Sequence, residues 1–218
     1  MPASHVQTVT AEGASTSASV TLTTTAGNGV IVTLLYNNNK AAVGTITQTS
    51  GDTVGSINVE LDSGGTYTVQ RNHDNVAGGS TTFTFTATSQ TWRIYITEWS
   101  GQFKSGSFDK SAKTNQASTS TPSSGTTGTL SQSDEFAVAV WNGDSSGETT
   151  VTSYSNSFTS GNNDWGAGET LRGSTAWKVI AGTSGVQTTL TLGDPATVSA
   201  LIGTYKADVP MPLAWIRA

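Results

Sequence analysis

A chain of 218 residues with a formal charge of -5, only 10 Lys plus Arg and no basic run has no electrostatic footprint for nucleic acid or an anionic membrane. It has no cysteine, which removes disulfides and thiolate metal sites, and no apolar run long enough to span a bilayer. Charged residues are 11% of the chain, under half of the ~25% of an ordinary soluble domain, and 39 Thr and 28 Ser stand in their place.

Thr is β-branched and stiff at χ1, so it suits a half-exposed pleated face, and a Ser- and Gly-rich chain offers few helix formers. Residues 17–25 alternate, with Ala18, Val20 and Leu22 on one face and Ser19, Thr21 and Thr23 on the other, as in a half-buried strand. Asn28-Gly29 supplies a turn, and residues 30–36, apolar at nearly every position, follow at once, so the two strands read as a hairpin. Weaker alternation predicts strands over 43–49 and 56–61, and Ser63-Gly64-Gly65 turns the chain into 66–71, with Tyr67 and Val69 on one face. After a break at 75–79 come a Thr-alternating strand with Phe83 and Phe85 and a longer one from Trp92 to Trp99.

The second part of the chain replays this plan. Ile31-Val32-Thr33-Leu34-Leu35-Tyr36-Asn37 has a counterpart in Phe136-Ala137-Val138-Ala139-Val140-Trp141-Asn142, the Phe83/Phe85 strand one in Leu190/Leu192, and 91–101 one in 197–207. Further strands are expected over 174–180 and 186–192. Each half holds few long apolar strands, so one shared core is expected. The reading is all-β: a two-sheet antiparallel sandwich, jelly-roll-like, with an internal pseudo-duplication. Residues 1–207 form a single domain of half one (17–101), a Ser/Thr/Gly-rich link (102–129) anchored by Phe103 and Phe108, and half two (130–207). A structureless link of that length is uncommon, so part of it should pair as an edge strand.

After Ala207, alternating prolines exclude a central strand, and residues 208–218 read as an extended arm. Pro210, Pro212, Leu213, Trp215 and Ile216 either fold back on their own sandwich or dock on a neighbouring subunit. The start, Met1-Pro2-Ala3-Ser4-His5, has neither a basic n-region nor an apolar h-region, so no secretory signal is expected.

No catalytic constellation emerges, no cofactor or metal is expected, and the chain does not read as an enzyme. His5 sits in an expected flexible start, and His73 in a polar turn, Arg71-Asn72-His73-Asp74-Asn75, without a placed partner. Glu60, Asp62 and Glu98 lie in or beside strands but form no dense acidic motif for glycosidase chemistry. Glu98, whose counterpart is Thr204, reads as an edge-exposed or Arg93-paired carboxylate. Asn37, Asn38, Asn39, Asn142 and Asp144 make one end of the sandwich rich in oxygens, as calcium would need, but Asn and Asp also simply terminate strands. For sugar recognition, the loop over 160–173 gathers Asn162, Asn163, Asp164, Trp165, Glu169 and Arg172, an aromatic with amide and charged partners. Trp92, Trp141 and Trp177 belong in the core or at its margin; Trp165 is the tryptophan expected to be exposed.

The apolar strand ending in Tyr36-Asn37, the run Asn75-Val76-Ala77-Gly78-Gly79 leading into a Thr-alternating strand, and Glu98-Trp99-Ser100-Gly101 before a Ser/Thr/Pro/Gly link resemble Thr/Ser-rich β-sandwich modules of phage structural proteins and bacterial surface proteins, over roughly residues 25–207. The resemblance implies surface decoration or attachment and carries over no catalytic residue. The expectation is a non-enzymatic structural or adhesion protein of a phage-like virion exterior, made in the host cytoplasm. Its partners would be other virion or capsid subunits, in a homo-oligomer. An extracellular carbohydrate-binding module, with cell-surface glycans as partner, is the alternative.

Overall fold

A computed structural model describes residues 3–37, 43–49, 54–55, 57–63, 65–102, 105–144, 150–165 and 171–208. Among these residues every regular element is a strand: β1 Ser4–Thr24, β2 Gly29–Tyr36, β3 Val43–Gln48, β4 Ile57–Asp62, β5 Tyr67–His73, β6 Gly79–Ser100, β7 Phe108–Thr119, β8 Asp134–Asp144, β9 Val151–Tyr154, β10 Thr159–Asp164, β11 Arg172–Ala181, β12 Leu190–Leu192 and β13 Ala196–Lys206. All pairings between strands are antiparallel, and two large sheets pack as a sandwich. The first has the order β1-β6-β2-β5-β4, with β3 also on β6; the second has the order β10-β11-β8-β13-β7, and β12 pairs with β9.

These orders make the duplication explicit. Read from the other edge, the second sheet is β7-β13-β8-β11-β10, which matches β1-β6-β2-β5-β4 strand for strand. The β3 pairing on Phe83 and Phe85 likewise matches the β9 pairing on Leu190 and Leu192. The residues 102–129 are therefore less a link than a counterpart of β1. β7 takes the edge place of the first part of β1, and residues 120–130 run along β12 as residues 17–24 run along the start of β6. The sequence matches need one adjustment. Glu98 lies opposite Val30, whereas Thr204 lies opposite Ala137, so matching Glu98 with Thr204 matches Val30 with Ala137 and not with Glu135. A slip of two residues leaves every side chain on its own face, which is why the hydrophobic pattern alone does not reveal it.

The expected hairpin between 17–25 and 30–36 does not form. β1 and β2 are both paired to β6, which lies between them. Thr24 pairs with Gly79, but Gly29 pairs with Trp99, some 20 positions further along β6. A straight ribbon would put those points about 66 Å apart, whereas five residues of chain reach at most about 18 Å. The β1–β6 ribbon must fold back on itself. The register shift between Ser15 and Ser17 marks the bend. Gln7 donates from Nε2 to Thr23 O at 2.7 Å, so the two arms of the fold touch. The reversal is made at Ala26-Gly27, with Gly27 at φ 85° and Asn28 N–H bonded to Thr25 O, and Asn28-Gly29 lies just beyond it.

This folding gives each half a core of its own, contrary to the expectation of one shared interior. The even-numbered apolar residues of β2, from Val30 to Tyr36, face Val20, Leu22, Phe83 and Phe85 of the folded-back ribbon. Ala137, Ala139 and Trp141 of β8 face Leu190, Leu192 and Phe158 in the same way. The Thr-alternating strands place their apolar residues inward, and that second layer is what a count of long apolar strands overlooks. The odd face of β2 is buried as well. Ile31 packs with Trp99, Phe136, Val138 and Tyr205, and Leu35 with Tyr95, Val140 and Leu201. These two clusters join the halves.

The seam is also polar. Tyr205 donates to Gln70 Oε1 at 2.7 Å, Gln70 Nε2 reaches Val138 O at 3.3 Å, and Asn142 Nδ2 donates to Thr68 Oγ1 at 3.0 Å. At its margins β1 contacts β10 and β7 contacts β4. Each of these pairs sets a strand against the counterpart of the other pair's partner, the exchange produced by a pseudo-two-fold axis.

Candidate functional site

The predicted binding loop falls at the β1/β10 margin of the seam. β10 is the outer strand of the second sheet, and its register shift between Ser160 and Asn163 sets the orientation of its end. Asn162 is held by backbone: its N–H donates to Thr175 Oγ1 at 2.9 Å, and its carbonyl accepts from Ser174 Oγ at 3.2 Å. Asn163 is exposed, and Arg172 begins β11 as a buried residue opposite Gly143. Glu169 lies outside the described residues, as do Asn38, Asn39, Phe103 and the whole tail set Pro210, Pro212, Leu213, Trp215 and Ile216.

Trp165 is not exposed. Its relative exposure is 1%, and it belongs to the core of half two. Gly143 makes the room: a Cβ there would lie 2.4 Å from Trp165 Cζ2. The side chain of Trp165 instead enters the core directly after the edge strand β10. An indole buried in this way offers no stacking face to a sugar. The other expectations for tryptophan hold, with Trp92 and Trp141 buried and Trp177 at the margin.

Asp164 has a different role from the one expected. Its Oδ2 lies 2.8 Å from Arg93 Nη1, while Arg93 Nη2 bonds Glu12 Oε2. No hydrogen bond is aligned on Asp164 Oδ2, so the pair is a charge contact. Arg93 is buried, whereas both carboxylates keep part of their surface in water. A guanidinium between two carboxylates from the two halves is a tie across the seam. Nothing in the sequence links Glu12 to Asp164, because only the pseudo-two-fold packing sets β1 beside β10.

Glu98 is neither edge-exposed nor paired with Arg93. It is fully buried and accepts from Thr25 N–H at 2.7 Å, Asn28 Nδ2 at 2.6 Å and Gln7 Nε2 at 2.5 Å. Three donors satisfy the charge and fix the returning end of the ribbon beside its start. Asp74 plays a similar part, accepting from Asn72 Nδ2, Gln102 Nε2 and Ser107 Oγ.

The histidines are placed differently from the expectation. His73 is the last residue of β5, partly buried, with Nε2 3.0 Å from Gln48 Nε2. His5 is in β1, stacked on Trp177 at 4.8 Å and edge-on to Trp99 at 5.4 Å, with Nε2 2.8 Å from Thr8 Oγ1. Burial pulls its pKa below the ordinary histidine value, with a backbone bond near Gln7 acting the other way. The imidazole is thus favoured in its neutral form and serves as a packing element.

Two grooves occupy matching places. One of about 890 Å³ runs beside the end of β11, lined by Lys178, Val179, Asn156, Gly182 and residues 184–187; another of about 300 Å³ lies by the end of β5, lined by Gln48, His73, Asn75 and Gly78. Lys178 Nζ donates to Asn156 O at 2.7 Å, so the cation of the larger groove is engaged. Among the described residues, no group of three His, Cys, Asp or Glu side chains could hold a metal ion. Compared with known protein families and with curated proteins, the sequence matches none.

Proposed function

We propose that the protein is a non-enzymatic structural component of the exterior of a phage-like particle, a capsid-decoration or tail-associated protein that works through contacts with neighbouring subunits. The observation that carries this reading is the edge strand β1. It runs for 21 residues and, among the described residues, pairs with β6 on one side only. Glu12 is its sole carboxylate, tied inward to Arg93, and it has no Lys, Arg or Pro. A long edge with a single charged side chain and no proline is a template for pairing with another chain, and cover by a neighbour removes that liability.

The outer face of the same ribbon supports the reading. Ser19 pairs with Thr84 at 2.9 Å and Thr21 with Thr82 at 2.7 Å, hydroxyl to hydroxyl across the strands. Such a face is polar without being charged, so it can be covered without desolvating ions. The apolar tail 209–218 supplies a second means of attachment on composition alone.

The test is assembly. Thr10→Lys with Ser19→Lys should reduce oligomerisation or particle incorporation, measured by light scattering and co-sedimentation, while the circular dichroism stays that of a sheet protein. Truncation after Ala207 should do the same. A wild-type chain that is strictly monomeric, joins no particle and binds on a glycan array would overturn the reading in favour of the carbohydrate-binding alternative.

A further inference from the structure

Residues 120–133 form a strap hydrogen-bonded along residues 182–192 of half two. Leu190 N–H bonds Pro122 O at 3.0 Å, Ser124 N–H bonds Thr188 O at 2.9 Å, Thr127 N–H bonds Val186 O at 2.9 Å, and Leu130 N–H bonds Thr183 O at 2.8 Å. Gly182 N–H closes the end of the strap on Ser133 O at 2.8 Å. Beneath that end lie two carboxyl groups, Asp109 of β7 and Glu135 of β8, which face each other across β13. Both are out of water: Glu135 is 0% exposed, and the Asp109 side chain is 7% exposed.

The donors around them are unequally shared. Asp109 Oδ2 accepts the Ser131 N–H of the strap at 2.8 Å, and Lys110 Nζ stands 3.6 Å from Oδ1. No donor is aligned for a hydrogen bond on either Glu135 oxygen; the nearest, the Thr204 hydroxyl and the Gln132 N–H of the strap, favour the ionised form but do not outweigh its burial and the facing Asp109. The nearby Thr204 hydroxyl accepts from Lys110 N–H at 3.1 Å and points back to Lys110 O. The group that does face Glu135 is the Asp109 carboxyl, itself an acceptor when ionised. Two buried carboxylates that face each other repel, and one with no well-aligned donor is costly to leave charged. One proton between them resolves both problems.

We propose that Asp109 and Glu135 share a single proton that latches the strap to the sheet, closed while the proton is held and loosened when it leaves to solvent. In the latched state Glu135 carries the proton and donates to Asp109, which stays ionised and holds Ser131. Burial, then the hydrogen bond and charge of Asp109, push Glu135 up to about 7. Burial acts to raise Asp109 too, but the Ser131 bonds and the Glu135 bond outweigh it and hold Asp109 below its ordinary value. The other charges around the pair are Lys110 on β7, Lys206 opposite Glu135 on β13, and Asp134 next to it on β8. Residues 130–133 of the strap contain no titratable side chain. Lys110 is 41% exposed, so water screens it from the pair.

The experiment follows the carboxyl carbon of Glu135 by NMR on the full chain from pH 5 to 9, with hydrogen exchange at Leu130 and Gly182 corrected for the intrinsic pH dependence of exchange. The expected midpoint for Glu135 is about 7. Protection of the two amides should fall about tenfold between pH 6 and pH 8.5, the effect of about one pKa unit of lost interaction. Glu135→Gln, which keeps a donor toward Asp109 but cannot ionise, should make that protection independent of pH. Asp109→Asn should lower the midpoint of Glu135, and it serves as the second variant if the first does not fold. A Glu135 midpoint below pH 5, or wild-type protection equal at both pH values, would overturn the proposal.

Discussion

Arg93 of β6 and Asp164 of β10 meet at 2.8 Å, one residue from each half of the duplicated fold, with Glu12 of β1 on the other side of the guanidinium. The contact exists because β1 of one half lies beside β10 of the other. It places an ion pair between the halves at the margin of the seam, where water still reaches both carboxylates.

Replacing Arg93 with Met keeps most of the buried aliphatic stem but removes the charge. Breaking a fully buried pair costs about 3–5 kcal/mol, mostly from the charge left behind. Here the carboxylates left behind are partly solvated, so a smaller loss of about 1–3 kcal/mol is expected. Urea denaturation of Arg93→Met against Asp164→Asn and the double variant measures it, with the single losses adding to more than the double.

Gly143 lies under Trp165, and Gly13 lies under Trp92 in the other half, with a Cβ at 2.4 Å and 2.5 Å from the indole ring. Both alanine variants should therefore be destabilised by overpacking, by about 1–3 kcal/mol each. Gly27→Ala is a useful contrast: no atom lies near its Cβ, but φ is 85°, so any loss there comes from backbone strain. Thermal unfolding of the three variants separates the two causes. Equal stability of Gly143→Ala and wild type would contradict the packing described for Trp165.

Trp165→Ala should cost about 3–5 kcal/mol, the range for emptying a large aromatic site in a core. If Trp165 instead stood on the surface, the change would be within about 0.5 kcal/mol. The fluorescence of wild type minus Trp165→Phe gives an independent reading, with a blue-shifted component expected for a buried indole.

His5 gives a pH dependence of known sign. Its folded pKa lies below its ordinary value of 6.5, so the unfolded chain binds the proton more readily. The stabilisation is complete above that value and is lost as the pH falls from 6.5 towards the folded pKa. Wild type should lose stability relative to His5→Phe between pH 7.5 and pH 5.5, as measured by urea midpoints at the two pH values. Glu135 acts in the opposite direction, since a raised carboxyl favours the folded state at low pH and withdraws that support as pH rises from 4.5 through about 7. The comparison is therefore cleanest in the Glu135→Gln background.

The all-β class, most of the alternating and apolar strands and the repeat were legible in the sequence because each is a local property; residues 4–16 and 159–164, expected as a flexible start and part of a loop, are strands whose polar composition hides them. Alternation at period two marks which residues of a strand share a face, and Phe83/Phe85 matches Leu190/Leu192 whatever the partners are. The edge pairing of part of residues 102–129 was legible for a related reason, since backbone groups over such a length need partners. Partner choice was another matter. That β6 lies between β1 and β2, that Trp165 turns inward, and that Glu98 finds three donors all depend on the ribbon folding back at Ser15/Ser17 and on the two halves packing about a pseudo-two-fold axis. These are contacts between residues tens of positions apart. The alternation of side chains is unchanged by which strand comes alongside, so the pattern determined the faces and only the tertiary packing decided what those faces, and the charges among them, would meet.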